Sequence, residues 1–253
     1  MIGISCPGFC MTPFKEQLDL ISPNFELWEI VSECKHAMPV IKDEIREAKD
    51  SYDIQFTVHA PFSDTNIASL NPKIRESSVY QIIETLRVCS ELNINLVTIH
   101  PGHKSPLGGY FEDRIRKVNK KSLIEIDKAG QEYGLVLALE NIPKMWISLC
   151  SSAREIAELI EGTNLKICFD IGHANISRDI DGFLKLKEDI VNIHMHDNNA
   201  DKDWHWVLGE GNIPIAKILK ELKGYSGFYV IESTGLSDGI KSKKVLSEML
   251  EGI

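Results

Sequence analysis

CPGFCMTPF, residues 6–14, follows the first β-branched run of the chain and separates two readings of the fold. An open doubly wound sheet normally places a G-x-G-x-x-G turn after its first strand, and this stretch supplies none. The remaining sequence must therefore be read for the other common arrangement of alternating strands and helices, a closed barrel.

Outward from that turn, short β-branched runs alternate with longer segments of helical period. The strand-like runs are 2–6, 25–31, 54–60, 95–100, 135–141, 165–171, 190–196 and 227–233. Helical stretches lie near 13–21, 39–50, 72–92, 112–133, 152–161, 179–187, 213–223 and 239–251. Ser152 with Glu155 three positions on forms a capping-box pattern. Pro72 suits a first helical turn, and Gly134 suits a helix C-terminus. Strict alternation without a linker predicts one α/β domain over 1–253, a single (β/α)8 barrel, for which about 250 residues is the usual length.

Composition is that of a soluble protein, 43% hydrophobic and 26% charged. The longest apolar runs, such as LVLAL at 135–139, are far too short for a membrane span, and MIGISCP lacks a leader pattern. The expectation is a cytoplasmic protein without a membrane partner, and no protein partner is predicted. Its six cysteines show no disulfide framework, so they are read as reduced, with Cys6 and Cys10 structural. A net charge of −9 argues against bulk nucleic-acid binding, unless bound divalent cations offset it locally.

Barrel enzymes keep their chemistry at the C-terminal ends of the strands. Here the third strand ends in His59, the fourth in His100, the fifth in Glu140 and the sixth in Asp170. The seventh delivers His194 and His196, and the eighth Glu232. Strict alternation in IVNIHMH (190–196) puts Val191, Ile193 and Met195 under the helices and Asn192, His194 and His196 in the lumen. Two loop motifs, DIGH and DWH, add His173, Asp203 and His205.

Taken singly, each of these has an ordinary explanation. A lone strand-end histidine is usually a hydrogen-bonded core residue, a lone glutamate an ion-pair partner, and DWHW an exposed loop. Nine of them together, at the mouth of one apolar barrel, would bury unpaired charge at high cost unless they coordinate cations. Mixed imidazole and carboxylate ligands suit zinc, manganese or iron, whereas calcium or magnesium sites would be all oxygen. His36 is read as a surface residue, His103 as lining the site, and Cys168 and Phe169 as core. Trp204 and Trp206 stay open between packing and substrate stacking.

The motifs VTIHPG, LALEN, FDIGHA, HMHD, DWHWVLGEGNIP and VIES resemble the xylose isomerase-like barrel superfamily, and within it endonuclease IV. The resemblance covers nearly the whole chain. It implies a metal site at the C-terminal face holding up to three divalent ions, zinc first among them, with Mn or Fe as alternatives. His59 and His100 with a bridging Glu140 would hold one ion; Glu140, Asp170, His194 and Glu232 a second; His173, Asp203 and His205 a third. The middle four alone resemble the single-metal site of the sugar isomerases and epimerases of the superfamily.

Two loops depart from the endonuclease pattern. IPKMWISLCSS follows LEN where a Gly- and Gln-rich turn is usual, and APFSD follows His59, with only Phe62 to stand for the duplex-opening aromatic.

The resemblance therefore implies a phosphoesterase acting on DNA with abasic sites or on a small sugar phosphate. Glu140 would be the catalytic carboxylate, and Lys104, Lys144, Arg178 and Lys202 would contact phosphate. His103, His196 and Trp204 would meet the substrate. The alternative is an isomerase or epimerase in which Glu140 and Glu232 shuttle a proton between adjacent carbons. A non-catalytic binding barrel is the third reading.

Overall fold

The computed structural model describes residues 1–252 and shows eight parallel strands closed in sequence order, β1 pairing with β8. The strands are β1 Ile2–Ser5, β2 Leu27–Val31, β3 Gln55–His59, β4 Leu96–Ile99, β5 Val136–Glu140, β6 Lys166–Asp170, β7 Ile190–Met195 and β8 Phe228–Glu232. Around them run α1 Phe14–Ile21, α2 Met38–Ser51, α3 Pro72–Glu91, α4 Glu112–Glu132 and α5 Ala153–Ile160. The ring is completed by α6 Ile171–Ser177, α7 Ile180–Leu184, α8 Ile215–Glu221 and α9 Leu236–Glu251. Among the described residues no helix is long and apolar enough to cross a membrane.

Alternation along each strand divides the core in two. Ile30, Val58, Ile99, Leu139, Phe169, Ile193, Met195 and Ile231 join the large apolar cluster shared with the helices. The opposite parity supplies a small separate cluster, Leu96, Ala138 and Cys168, which closes the barrel floor. Above it the same parity yields polar residues, all buried: Glu29, Thr57, Thr98 and Asn192 at mid-height, then His59, Glu140, Asp170, His194 and Glu232. All six cysteines are free.

Local signals account for most helix ends. Ser152 caps α5, its Oγ accepting from Glu155 N at 3.3 Å. Glu155 Oε2 in turn accepts from Ser151 N at 2.8 Å, one residue before the expected partner. Asn71 caps α3 ahead of Pro72, and Gly134 (φ 71°) turns the chain out of α4.

Two expectations about secondary structure are corrected. DIGH is not a loop: Asp170 ends β6 and caps α6 directly, its Oδ1 accepting from His173 N at 2.6 Å. Seven residues carry too little apolar periodicity to announce a helix, and the cap is the one local signal. The helix expected over 179–187 is correspondingly shorter, α7 followed by a 3-10 turn at Lys187–Asp189.

His36 is not a surface residue; it is 1% exposed. Its ring meets Trp28 edge-on at 5.5 Å and Phe14 at 5.7 Å, and its Nε2–H donates to the Thr12 carbonyl at 3.0 Å. Burial pushes its pKa down to about 4. A histidine that titrates lower when folded takes up its proton mainly on unfolding. It therefore favours the native state fully above about pH 6.5 and loses that contribution as pH falls towards 4. The expected loss is about 3 kcal/mol for a shift of this size. In metal-stripped protein, urea unfolding of His36→Leu beside the wild type should show the acid-dependent difference vanish. Identical pH profiles would refute this account.

Candidate metal centre

The strand termini, the first turn of α6 and one loop bring three sets of ligand atoms together, and within each set the atoms lie within 4.8 Å of one another. In the first, His59 Nε2 and His100 Nε2 each stand 3.1 Å from Glu140 Oε2. In the second, Glu140, Asp170, His194 and Glu232 converge. His194 Nδ1 is 3.4 Å from Glu140 Oε1 and 3.2 Å from Glu232 Oε1. In the third, Asp203 Oδ2 lies 3.2 Å from His173 Nε2 and 3.1 Å from His205 Nε2. His196 joins this set, its Nε2 3.5 Å from Asp203 Oδ1.

For three of the imidazoles, the hydrogen bonds behind these atoms fix which nitrogen is offered. His59 Nδ1–H donates to the Ala60 carbonyl at 2.8 Å, leaving Nε2 for the site. His173 Nδ1–H donates to the Asn141 carbonyl at 2.8 Å with the same result. His194 is reversed: its Nε2 faces Glu29 Oε1 at 2.8 Å and its Nδ1 faces the acids. Asp170 Oδ2, His194 Nδ1 and Asp203 Oδ1 are buried without a hydrogen-bond partner. Orphaned polar atoms are costly, and three aimed into one mixed nitrogen–oxygen cluster fit a divalent cation of the zinc, manganese or iron type.

Without cations, protons balance the buried acids. Burial disfavours the His173 and His194 imidazolium, but the surrounding carboxylates outweigh it and raise both well above the ordinary range. For His205, Asp203 and Glu232 likewise overcome burial and raise the pKa to about 9. Burial would raise the Glu140 carboxyl, yet His194 and His100 hold it well below the usual carboxylate range. Cation binding at such a site displaces protons. Cys168, near Glu140 and His194, has its thiol pushed up by burial, which keeps it neutral and a poor ligand.

Asp203 and His205 sit on a loop that Asp197 holds in place. Its Oδ1 accepts from Asn198 N and Ile213 N at 2.9 and 3.2 Å, and its Oδ2 from Gly209 N at 2.9 Å. The His196 ring stacks on His205 at 4.0 Å and lies over Gly172. A Cβ at 172 would fall 2.0 Å from that ring, which accounts for the glycine in DIGH.

A cavity of about 370 Å³ opens beside the cluster, with His100, His173 and Asp203 in its wall. Phe62, Ile67, Ile142, Met145 and Ile147 supply apolar lining, and His103 is also in the wall. Phe62 packs on His59 and His100 at 4.9 and 4.7 Å between ring centres.

The proposed cationic contacts are placed differently. Lys104 pairs with Glu112 at 3.0 Å, Lys144 lines a neighbouring hollow with Arg116 and Arg154, and Arg178 lines another with Asp179 and Asn175. Lys202 lies over the Trp204 ring at 4.2 Å, and Trp204 stacks on Trp206 at 5.8 Å. Neither Lys nor Arg is among the residues lining the cavity beside the cluster.

One participant escaped sequence reading. Glu29 lies mid-strand in β2, fully buried beneath the cluster. Attention to strand ends passes over it, although a glutamate inside the apolar run LWEIV was a visible signal.

Comparison with known proteins places these features in a wider group. Residues 22–251 match a family model described as xylose isomerase-like TIM barrel. An uncharacterised protein of Methanocaldococcus jannaschii is 37% identical over 260 aligned positions, 98% of this chain and 89% of the relative. A probable endonuclease 4 of Aquifex aeolicus is 28% identical over 251, covering 87% and 85%. The solved structure of a D-tagatose 3-epimerase-like protein superposes with a TM-score of 0.90 at 33% identity, over 99% of this chain and 97% of that one.

Proposed function

The chain belongs to the xylose isomerase-like TIM barrel family, and from that premise we propose that it is a metal-dependent phosphoesterase, hydrolysing a phosphodiester beside an abasic deoxyribose or a related sugar phosphate. The observation that carries this reading is the third ligand set, His173, Asp203 and His205 with His196, built beside two others that share Glu140. A single-ion sugar enzyme needs only the middle set as metal ligands.

When bound, divalent ions supply Lewis acidity and positive charge for a phosphoryl group. They would be held by His59, His100 and Glu140, by Glu140, Asp170, His194 and Glu232, and by His173, Asp203 and His205. Glu140 reaches two of the sets and takes the proton of the attacking water on its carboxylate. Phe62 shields the His59–His100 side from bulk water. With neither Lys nor Arg in the cavity wall, the phosphate has no side-chain cation there, and the cavity's size suits a sugar phosphate or one extruded sugar of a strand.

A second reading rests on Glu140 and Glu232, which flank His194 Nδ1 at 3.4 and 3.2 Å. With one ion, this pair could move a proton between adjacent carbons of a ketose. The structural likeness to a D-tagatose 3-epimerase-like protein supports it.

Elemental analysis and cleavage of an abasic-site duplex or a deoxyribose phosphoester separate the two. Three ions per chain with phosphoester cleavage is the expected result. One ion, no cleavage and epimerisation of a ketose would overturn it.

A further inference from the structure

We infer that Glu29 is the positioning residue of this centre, fixing the His194 ring so that Nδ1, not Nε2, is the nitrogen offered to an ion held with Glu140, Asp170 and Glu232. The inference rests on the metal-centre part of the reading above, not on the reaction catalysed.

Glu29 Oε1 lies 2.8 Å from His194 Nε2. An ionised carboxylate only accepts, so that nitrogen carries the proton and Nδ1 of the neutral ring keeps its lone pair. Nδ1 is the atom left without a hydrogen-bond partner, facing Glu140 and Glu232. The second oxygen of Glu29 is held equally firmly. Oε2 accepts from Asn192 Nδ2 at 2.8 Å and from the Thr57 and Thr98 hydroxyls, both at 3.3 Å. Side chains from three strands, β3, β4 and β7, thus surround one carboxylate, and that carboxylate fixes one imidazole.

A mere hydrogen-bond hub at mid-height in the barrel does not need a charge. A fully buried carboxylate is costly to desolvate, and three neutral donors plus one imidazole are a weak return unless the charge has work to do. Carboxylate–imidazole–metal relays do that work: they hold the ring, set its tautomer and raise its basicity.

The test uses Zn²⁺ titrated into metal-stripped full-length protein. In Glu29→Gln the carboxamide cannot accept at both oxygens: its NH₂ meets either His194 Nε2 or the Asn192 amide. One zinc per chain should then be held about 10–100-fold more weakly, the size usual for losing such a partner, with other sites unchanged. Unchanged affinity for every ion would overturn the inference.

Should this variant fail to fold, ¹¹³Cd-substituted wild type with ¹⁵N-labelled histidine gives an independent reading. Coupling of cadmium to His194 Nδ1, with Nε2 protonated, supports the role of Glu29, and coupling through Nε2 overturns it. Metal binding with the Nδ1 signal but no phosphoester cleavage leaves Glu29 in place and sinks only the hydrolase. Wild type that binds no divalent ion overturns the metal centre and this inference together.

Discussion

Glu140→Ala is expected to hold two fewer ions than the wild type and to lose at least about 10³-fold in phosphoester kcat/KM, since a positioned base alone is commonly worth about 10²–10⁴-fold. The geometry makes this the largest single effect available. Glu140 Oε2 stands 3.1 Å from both His59 and His100, and Oε1 stands 3.4 Å from His173 Nδ1 and from His194 Nδ1. No other carboxylate in the cluster meets four imidazoles. Truncation therefore removes the proton acceptor and the bridge between two ligand sets at once.

The same change should weaken the metal-free fold, because Glu140 helps to balance the charge on His173 and His194. Elemental analysis, kinetics and a thermal melt on one preparation distinguish these contributions. Retention of three ions in a folded Glu140→Ala protein would remove Glu140 from the bridging role.

The barrel was legible in the sequence because its two periodicities are enforced by burial on both sides of each strand. In β7 a slip of one residue would send His194 and Asn192 under the helices and Ile193 into the lumen, so the pattern admits one register. The ligand residues could be gathered from strand ends for the same reason. What stayed hidden depends on distance through space. His36 sits in the polar-looking run ECKHAMP, and nothing local reveals that Phe14 and Trp28 enclose it. Glu29 meets His194 across 165 positions of chain. Loop membership alone does not aim Lys144 and Arg178, and a loop at the barrel mouth can turn its side chains into neighbouring hollows. Alternation along β7 predicts that His196 faces inward. Its stacking on His205 depends on the return of the 198–213 loop, which Asp197 organises through backbone amides.

His173→Ala combined with His205→Ala is expected to cost one ion and at least about 10²-fold in phosphoester cleavage, the order lost when a group that stabilises transition-state charge is removed. The pair is separable from the remaining ligands. Both imidazoles meet the site chiefly at Asp203 Oδ2, at 3.2 and 3.1 Å, whereas Glu140, Asp170, His194 and Glu232 form their own set. His196 cannot readily take over, since its Nε2 is already 3.2 Å from Asp170 Oδ1 and its ring is confined over Gly172. Any proton transfer between Glu140 and Glu232 on a ketose should survive the double substitution, because neither carboxylate is altered. The variant therefore divides the two chemistries. Loss of cleavage with one ion missing and two retained supports a multinuclear phosphoesterase. Full cleavage with a reduced metal count would mean that the third ligand set is incidental to hydrolysis, whereas a wild type that cleaves no phosphoester and epimerises a ketose would leave the epimerase reading as the stronger account of the same barrel.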